Sequence, residues 1–182
     1  ALAAWCLPPS DHFEDWVCAR AYHYGLVDAN YQEEARTRVH ELLSRFTKLP
    51  LYHKLQNAAR HHELPYYTSN ADVTSTAEND TGDDSLQSRY IDILYHDPAN
   101  DRWVILDFKT DHFVKYRGET ELLQWATEKA YAAQVEAYAH AVRDLLQLSY
   151  IPAALLCLLD CVRKDGGREA RLLEIETNLE QE

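Results

Sequence analysis

Acidic residues interrupt two neighbouring apolar segments in the middle of the chain. The stretch 87–112 contains two runs of β-branched, aliphatic and aromatic residues, which favour strands; Asp92 lies in the first run and Asp107 in the second. The polar residues 96–101 between them favour a turn, so the whole stretch predicts a β-hairpin. A symmetric hairpin about the middle of this turn places Asp92 opposite Asp107, with Cβ atoms roughly 4.5–5.5 Å apart.

Lys109 completes this predicted cluster. Alternate residues of a strand lie on one face of the sheet, so Lys109 is expected beside Asp107. Two facing carboxylates with an adjacent ammonium group predict a bound hard cation, and oxygen ligands of this kind suit Mg²⁺ or Mn²⁺. The alternative is a pair of solvated acids with Lys109 as an ion-pair partner. The metal site depends on the register, because a slip of one residue would put the acids on opposite faces.

Length and composition describe one ordinary domain. A chain of 182 residues fits one well-packed domain and is short for two. Hydrophobic residues make up 46% and charged residues 26%, which is the composition expected of an ordinary soluble globular protein. No apolar run approaches the roughly 20 residues of a membrane helix, and no N-terminal signal pattern occurs. Because the sequence lacks methionine, we expect a domain cut from a longer protein, or one whose start is missing.

Charge and cysteine content narrow the class of protein further. The net charge of −12 argues against a free-standing nucleic-acid binder, whose affinity normally depends on lysine and arginine. A polyanion would have to be held by a bound metal, a local basic patch or neighbouring domains. The four cysteines lack metal-ligand spacing, so we expect core thiols in a reducing cytoplasm. They are Cys6, Cys18, Cys157 and Cys161.

Helices and one strand are predicted ahead of the hairpin. Apolar residues at helical spacing indicate helices over 13–21, 31–48 and 51–59, which make residues 1–60 a helical part of the domain. His40, at the side of the second helix's apolar stripe, is interpreted as a partly buried structural histidine.

The first strand and an insertion follow these helices. Segment 63–68 predicts a strand that Pro65 confines to a sheet edge or to the strand start. Glu63 is either a further metal ligand or a salt-bridge partner, with neither alternative favoured. Segment 69–86 is acidic and poor in apolar residues, so it predicts a mobile insertion between two strands.

A helical pattern and two further strands follow the hairpin. Within the helical pattern 119–147, Tyr131, Gln134 and Tyr138 fall on one face. A glutamine in this stripe is explained if it forms a hydrogen bond at the acid cluster; the alternative is that it faces water. The apolar segment 151–162 predicts a strand buried on both faces, and 170–177 predicts a last strand. This order of elements predicts an α/β fold with a mixed central sheet flanked by helices.

The order of these motifs resembles a known nuclease family, the RecB/AddA-type nuclease domain of the PD-(D/E)XK superfamily. That domain is usually the C-terminal part of a UvrD-like helicase–nuclease. The resemblance runs from about residue 31 to residue 146 and implies a restriction-endonuclease-like nuclease core over 61–182. Its motifs are Glu63-Leu64-Pro65-Tyr66, Ile91-Asp92, Asp107-Phe108-Lys109-Thr110-Asp111 and Tyr131-x-x-Gln134-x-x-x-Tyr138.

The resemblance also implies roles for individual residues. Asp92, Asp107 and the backbone carbonyl of Phe108 would bind Mg²⁺ or Mn²⁺. Lys109 would orient the attacking water or stabilise the charged phosphoryl transition state, and Gln134 would act with it in catalysis. The residues expected to support the site or the DNA strand are Tyr131, Tyr138 and Thr110.

The function implied is a metal-dependent DNA exonuclease module that processes double-strand ends in recombinational repair. Its expected partners are DNA, covalently attached helicase domains and a partner nuclease or helicase subunit, in the bacterial cytoplasm at the nucleoid. Two departures support an alternative, an inactive nuclease fold with a structural or docking role. Arg89 stands where the family has glycine, and the family's Gly-x-x-x-His motif is missing. A hydrolase of another phosphoester is a third hypothesis.

Overall fold

The fold contains ten regular elements within residues 13–68 and 87–177, the part of the chain that the computed structural model describes. They are α1 (Phe13–His23), α2 (Ala29–Phe46), α3 (Pro50–Asn57), β1 (Arg60–Thr68), β2 (Gln87–Asp97), β3 (Arg102–Lys109), α4 (Glu119–Glu128), α5 (Tyr131–Leu145), β4 (Ala153–Val162) and β5 (Arg168–Ile175). The acidic segment 69–86, predicted to be a mobile insertion, lies outside the described residues.

The five strands form one open sheet in the order β1-β2-β3-β4-β5. β3 and β4 are parallel and the other neighbouring pairs are antiparallel. Since parallel strands need a long connection, α4 and α5 fill the crossover from β3 to β4. The predicted α/β fold with a mixed sheet and flanking helices is confirmed. Pro65 lies in β1 at the edge of the sheet, as its missing amide hydrogen requires.

Two apolar layers cover the two faces of the sheet. The first lies beneath α4 and α5, and its members include Leu94, Ile105, Leu122, Val135, Ala139 and Leu156. The second lies beneath α2 and α3, and its members include Phe46, Leu55, Ile93, Leu106, Cys157 and Leu159. β3 and β4 supply both layers with alternate residues, which explains why these strands read as nearly continuous apolar runs. The prediction that 151–162 is buried on both faces is confirmed.

Residues at the starts of α2 and α3 explain where these helices begin. The carboxylate of Asp28 accepts a hydrogen bond of 2.8 Å from the amide of Asn30, so α2 begins at Ala29, two residues before the predicted start. Pro50 is the first residue of α3, where its missing amide hydrogen is not needed and its fixed φ suits a helix. α1 packs on α2 through a small apolar cluster of Phe13, Val17 and Leu43.

The helical pattern 119–147 is broken into two helices. Ala130 has φ of 59°, a left-handed conformation, and separates α4 from α5. The single helix predicted over 119–147 is therefore divided into two. Across the break, the rings of Trp125 and Tyr131 pack at a centroid distance of 5.4 Å. Tertiary packing therefore overrides a local sequence that contains neither glycine nor proline at this point.

The burial of two cysteines agrees with the sequence prediction. Cys157 and Cys161 are buried in β4, and burial raises the pKa of the Cys161 thiol to about 12. These two are core thiols, as predicted, whereas Cys18 is only half-buried and Cys6 lies outside the described residues. Across residues 13–68 and 87–177, no helix has both the length and the apolar content needed to cross a membrane.

Candidate active site

The β2–β3 hairpin has the predicted register. Paired residues run from Asp97 and Arg102, at the turn, to Ile93 and Leu106. Asp92 and Asp107 are the next residues along the two strands. Here the regular ladder ends, and the backbone amide of Phe108 instead donates a hydrogen bond of 2.8 Å to Oδ2 of Asp92. The carboxylate of Asp92 in β2 is thus hydrogen-bonded to β3, the strand that carries Asp107.

The alternation of β2 is interrupted at Asp92. Ile91 and Leu94 belong to the layer beneath α4 and α5, whereas Ile93 belongs to the opposite layer. Residues three apart in a regular strand cannot share a face, so β2 is irregular between Ile91 and Leu94. On β1 the pairing passes over Glu63, which has φ of 48°. Irregularities of this kind re-aim side chains and are common beside active sites.

Lys109 lies among three side chains in this region. Its Nζ is 2.6 Å from Oδ2 of Asp107 and 2.9 Å from Oε1 of Gln134, and it sits 4.1 Å from the ring centroid of Tyr131. Only 12% of its side chain is exposed. Asp92, Asp107 and Lys109 together are called the Asp–Asp–Lys site below. An ammonium group held from three sides is fixed in place before any substrate arrives.

α5 presents the residues that hold Lys109. The side-chain amide of Gln134 donates to the hydroxyl of Tyr138, so its carbonyl oxygen is left to accept from Lys109. The prediction that Gln134 forms a hydrogen bond at the acid cluster is confirmed, and it does not simply face water. Tyr131 donates a hydrogen bond of 3.2 Å to Asp111, just after β3. α5 therefore positions the lysine by contacts one helical turn apart.

Both acids hold their protons more tightly than ordinary carboxyl groups. Burial raises the pKa of Asp107 to about 6, with a smaller contribution from the charge of Asp92, and Lys109 opposes the rise. Burial also raises the pKa of Asp92, against the Phe108 amide and Lys109, and the charge of Glu63 adds to it. The hydrogen bond from Phe108 and the charge of Lys109 therefore do not fully offset the cost of burying the two carboxylates.

The site has the chemistry of a hard-cation site, although it offers few side-chain ligands. Asp107 is 3% exposed, and its buried Oδ2 has no hydrogen bond of good geometry despite the nearby lysine. Such an oxygen atom suits a cation that prefers carboxylate ligands. Among the described residues no three histidine, cysteine, aspartate or glutamate side chains converge on one point. The further ligands of a cation held by Asp92 and Asp107 would therefore be backbone carbonyls, water or substrate.

Three other residues considered in the sequence analysis lie at the edge of the Asp–Asp–Lys site or outside it. Glu63 is exposed, lies between the β1 residues that pair with Ile91 and Ile93 on either side of Asp92, and is near enough to raise the pKa of that acid. Thr110 is exposed immediately after β3. His40 packs on the ring of Phe13, at a centroid distance of 5.1 Å, and does not reach the two acids. It is exposed, so its predicted partial burial was wrong.

A second charged cluster was missed by the sequence analysis. Asp160, near the end of β4, is completely buried and accepts hydrogen bonds of 2.6 Å from both Arg38 and Arg45 of α2. His112 and Arg168 lie 2.5 and 3.1 Å from its carboxylate. Burial alone would raise the pKa of Asp160, but hydrogen bonds from Arg38 and His112 and the arginine charges hold it below its usual range. The one sequence signal was an acid inside an apolar strand.

Comparison with known proteins returned no relative. The chain matches no protein-family model, and a search of curated proteins found no match. Function has to be inferred from the chemistry of the Asp–Asp–Lys site and its surroundings.

Proposed function

We propose that this chain is a metal-dependent nuclease domain that hydrolyses phosphodiester bonds in DNA. The observation that carries the proposal is the Asp–Asp–Lys site itself. Two acids on neighbouring strands lie beside a lysine that a glutamine holds in place. Phosphodiester hydrolysis needs an activated water molecule and positive charge near the phosphoryl oxygens, and this set of groups can supply both.

The two acids and a backbone carbonyl are the proposed cation ligands. Asp92 and Asp107 would hold Mg²⁺ or Mn²⁺ together with the carbonyl of Phe108, and Glu63 is placed to take part on the side of Asp92. A bound divalent cation supplies a lowered pKa for the attacking water and neutralises charge on the scissile phosphate. The hydrogen bond from the Phe108 amide fixes the Asp92 carboxylate before the cation arrives.

Lys109 is the proposed catalytic cation of the chain itself. Its ammonium group carries three donors; it donates a hydrogen bond to Gln134 and also forms the ion pair with Asp107. A donor that is not used in the hydrogen bond to Gln134 can reach a water molecule or a non-bridging phosphate oxygen. Gln134 is a positioning residue in this scheme, because its other hydrogen bond, to Tyr138, prevents rotation of the amide. A preorganised cation stabilises developing charge without reorganisation during the reaction.

The finer parts of the proposal rely on the motif resemblance. The spacing of Asp92, Asp107-Phe108-Lys109 and Gln134 supports a restriction-endonuclease-like core and a RecB-type exonuclease module that acts on double-strand ends in recombinational repair. The partners proposed on this ground are attached helicase domains and a partner subunit, in the bacterial cytoplasm. The mixed five-stranded sheet is compatible with that core.

One observation favours the alternative of an inactive structural domain. The ion pair of 2.6 Å between Lys109 and Asp107 partly neutralises the acids without a metal. In addition, the described residues bring no third acidic, histidine or cysteine ligand to the pair. Measurements of metal binding and of metal-dependent DNA cleavage distinguish the proposed nuclease from an inactive structural domain.

The test combines calorimetric titration of Mn²⁺ with cleavage of end-labelled DNA. We expect the unmodified chain to bind Mn²⁺ and to cleave DNA only when a divalent cation is present. Asp107→Asn removes one ligand charge and is expected to abolish binding and to lower the cleavage rate at least about 100-fold, the scale of losing a key electrostatic group.

Asp101→Asn is the matched control, because Asp101 is an exposed acid on the turn of the same hairpin. It should bind Mn²⁺ and cleave DNA as the unmodified chain does. If the unmodified chain neither binds Mn²⁺ nor cleaves DNA, the structural alternative is correct and the proposed nuclease function is wrong.

A further inference from the structure

Six cations from three separate elements line two cavities and form what is called here the basic ridge. They come from the connection 110–118 after β3, the turn between α4 and α5, and the hairpin from β4 to β5. The six residues are Lys115, Arg117, Lys129, Arg163, Lys164 and Arg171. Lys115, Arg117 and Lys129 border one cavity, of about 210 Å³. Arg163, Lys164 and Arg171 border a second cavity, of about 330 Å³.

Specific contacts hold the elements of the basic ridge together. Tyr116 forms a parallel bridge with Val162, which joins the connection 110–118 to the end of β4. Arg171 donates a hydrogen bond of 2.8 Å to the backbone carbonyl of Arg117. The ammonium of Lys164 lies 5.5 Å from the ring centroid of Tyr116. The two groups of cations therefore belong to one continuous surface.

The buried Asp160 cluster fixes this surface to the sheet. The amide of Phe113 donates to the carbonyl of Asp160 at 3.3 Å, and Arg168 donates to the carbonyl of Phe113 at 2.9 Å. His112 contacts the Asp160 carboxylate. The connection 110–118 is consequently held through both backbone groups of Phe113 and through the side chain of His112, which gives the ridge a fixed spacing.

Most cations of the ridge have no acidic partner. Within the described part of the chain, no carboxylate lies within ion-pair distance of Lys115, Arg117, Lys129, Lys164 or Arg171, whereas Arg163 pairs with Asp165 at 2.9 Å. Many of the cations elsewhere pair with acids, among them Arg36, Arg38, Arg45, Lys54 and Lys109. Acids also line the two cavities, namely Asp111, Asp165 and Glu169, so six cations face three acids there. In a chain of net charge −12, a surface with an excess of cations is the part that can attract a polyanion.

The basic ridge adjoins the Asp–Asp–Lys site. The connection 110–118 starts directly after Lys109, and Asp111 borders the first cavity while it accepts a hydrogen bond from Tyr131. The ring of Tyr131 lies against Lys109. We propose that the basic ridge binds the backbone phosphates of a nucleic-acid strand whose scissile phosphate lies at the Asp–Asp–Lys site. This inference rests on the proposed nuclease function and adds the path of the substrate strand.

The test measures the salt dependence of DNA binding. A fluorescein-labelled single-stranded oligonucleotide is titrated with the full chain in EDTA, where binding is separated from cleavage, at several salt concentrations. The ridge triple variant is Lys115→Gln, Lys129→Gln, Lys164→Gln. Each lost phosphate contact lowers the slope of log K against log salt by about 0.7 for single strands, so the triple variant should lose about 2 units of slope. Its affinity at low salt should fall at least about 10-fold.

The control triple variant changes the net charge equally but away from the ridge. It is Arg20→Gln, Lys48→Gln, Arg102→Gln, three exposed cations with no ion pair among the described residues. Its slope should match that of the unmodified chain. Equal slopes for the two triple variants, or no binding by the unmodified chain, would overturn the inference. A difference in slope without any Mn²⁺-dependent cleavage would support the binding surface and count against the proposed function alone.

Discussion

Ionisation of the Asp107 carboxyl group is less favourable in this fold than in water. Asp107 is buried opposite Leu156 of β4, and burial raises its pKa to about 6 despite the nearby ammonium of Lys109. The folded protein therefore binds its proton more tightly than the unfolded chain, in which an aspartate has a pKa of about 3.9. Stability then falls as the pH rises from about 4 to about 6 and stays lower above that range. A group that destabilises the fold at neutral pH is typical of a functional site.

Asp107→Asn should consequently stabilise the metal-free domain at neutral and alkaline pH. A pKa difference of about two units corresponds to at most about 3 kcal/mol, so we expect a gain of about 1–3 kcal/mol at pH 8 and none from this cause at pH 4. Urea unfolding in EDTA across this pH range measures the difference. Parallel pH profiles for the two proteins would show that Asp107 has an ordinary pKa.

At the scale of elements, the break between α4 and α5 is the clearest departure from the sequence pattern. A left-handed conformation costs a residue with a Cβ atom about 1–2 kcal/mol, and Ala130 adopts it so that the two helices can take separate paths over the sheet. The break begins α5 at Tyr131, which places Tyr131, Gln134 and Tyr138 together above Lys109. The geometry of the candidate site therefore depends on this strained position.

Ala130→Gly should stabilise the protein by about 0.5–1 kcal/mol, because glycine adopts a positive φ without steric cost. Ala133→Gly is the matched control: Ala133 is exposed within α5, where the same change should cost about 1 kcal/mol. Both values come from urea denaturation at neutral pH. Destabilisation by Ala130→Gly would mean that residue 130 is helical and that 119–147 is one helix.

At the scale of the whole molecule, Asp160 joins parts of the chain that are remote in sequence. Its carboxylate is shared by Arg38 and Arg45 of α2, His112 of the connection 110–118 and Arg168 of β5. Since its pKa is held below the usual range, the cluster stabilises the fold at neutral pH. That stabilisation is lost as the pH falls through the pKa of the folded state. The same cluster supports the surface of the basic ridge.

Asp160→Asn should therefore destabilise the domain by about 2–4 kcal/mol at pH 7. Breaking a buried ion pair costs about 3–5 kcal/mol, and the partial contact of these arginines with solvent reduces the cost. Thermal or urea unfolding measures the change, and the difference from the unmodified chain should shrink in acid. Asp144→Asn, at an exposed ion pair with Arg143, should change stability little. A similarly small effect at Asp160 would show that its four partners do not stabilise the fold.

Local sequence was sufficient to predict the register of the β2–β3 hairpin and the positions of its acids. The turn at 98–101 sets the register, and strand alternation then places Asp107 and Lys109 on one face, so both features depend on residues close together in the chain. The place of Gln134 at the acid cluster also followed from the spacing of one helix face. These predictions succeeded because short-range geometry determines them.

Tertiary structure alone decided the rest. The irregularity at Asp92 and Glu63, the break at Ala130, the Asp160 cluster and the basic ridge each need segments that meet only after folding. Arg38 and Asp160, for example, are 122 residues apart in sequence. Whether a buried acid finds a partner, or a helix former adopts a left-handed turn, depends on packing across the whole domain. That packing energy can exceed the roughly 1–2 kcal/mol of a local conformational preference.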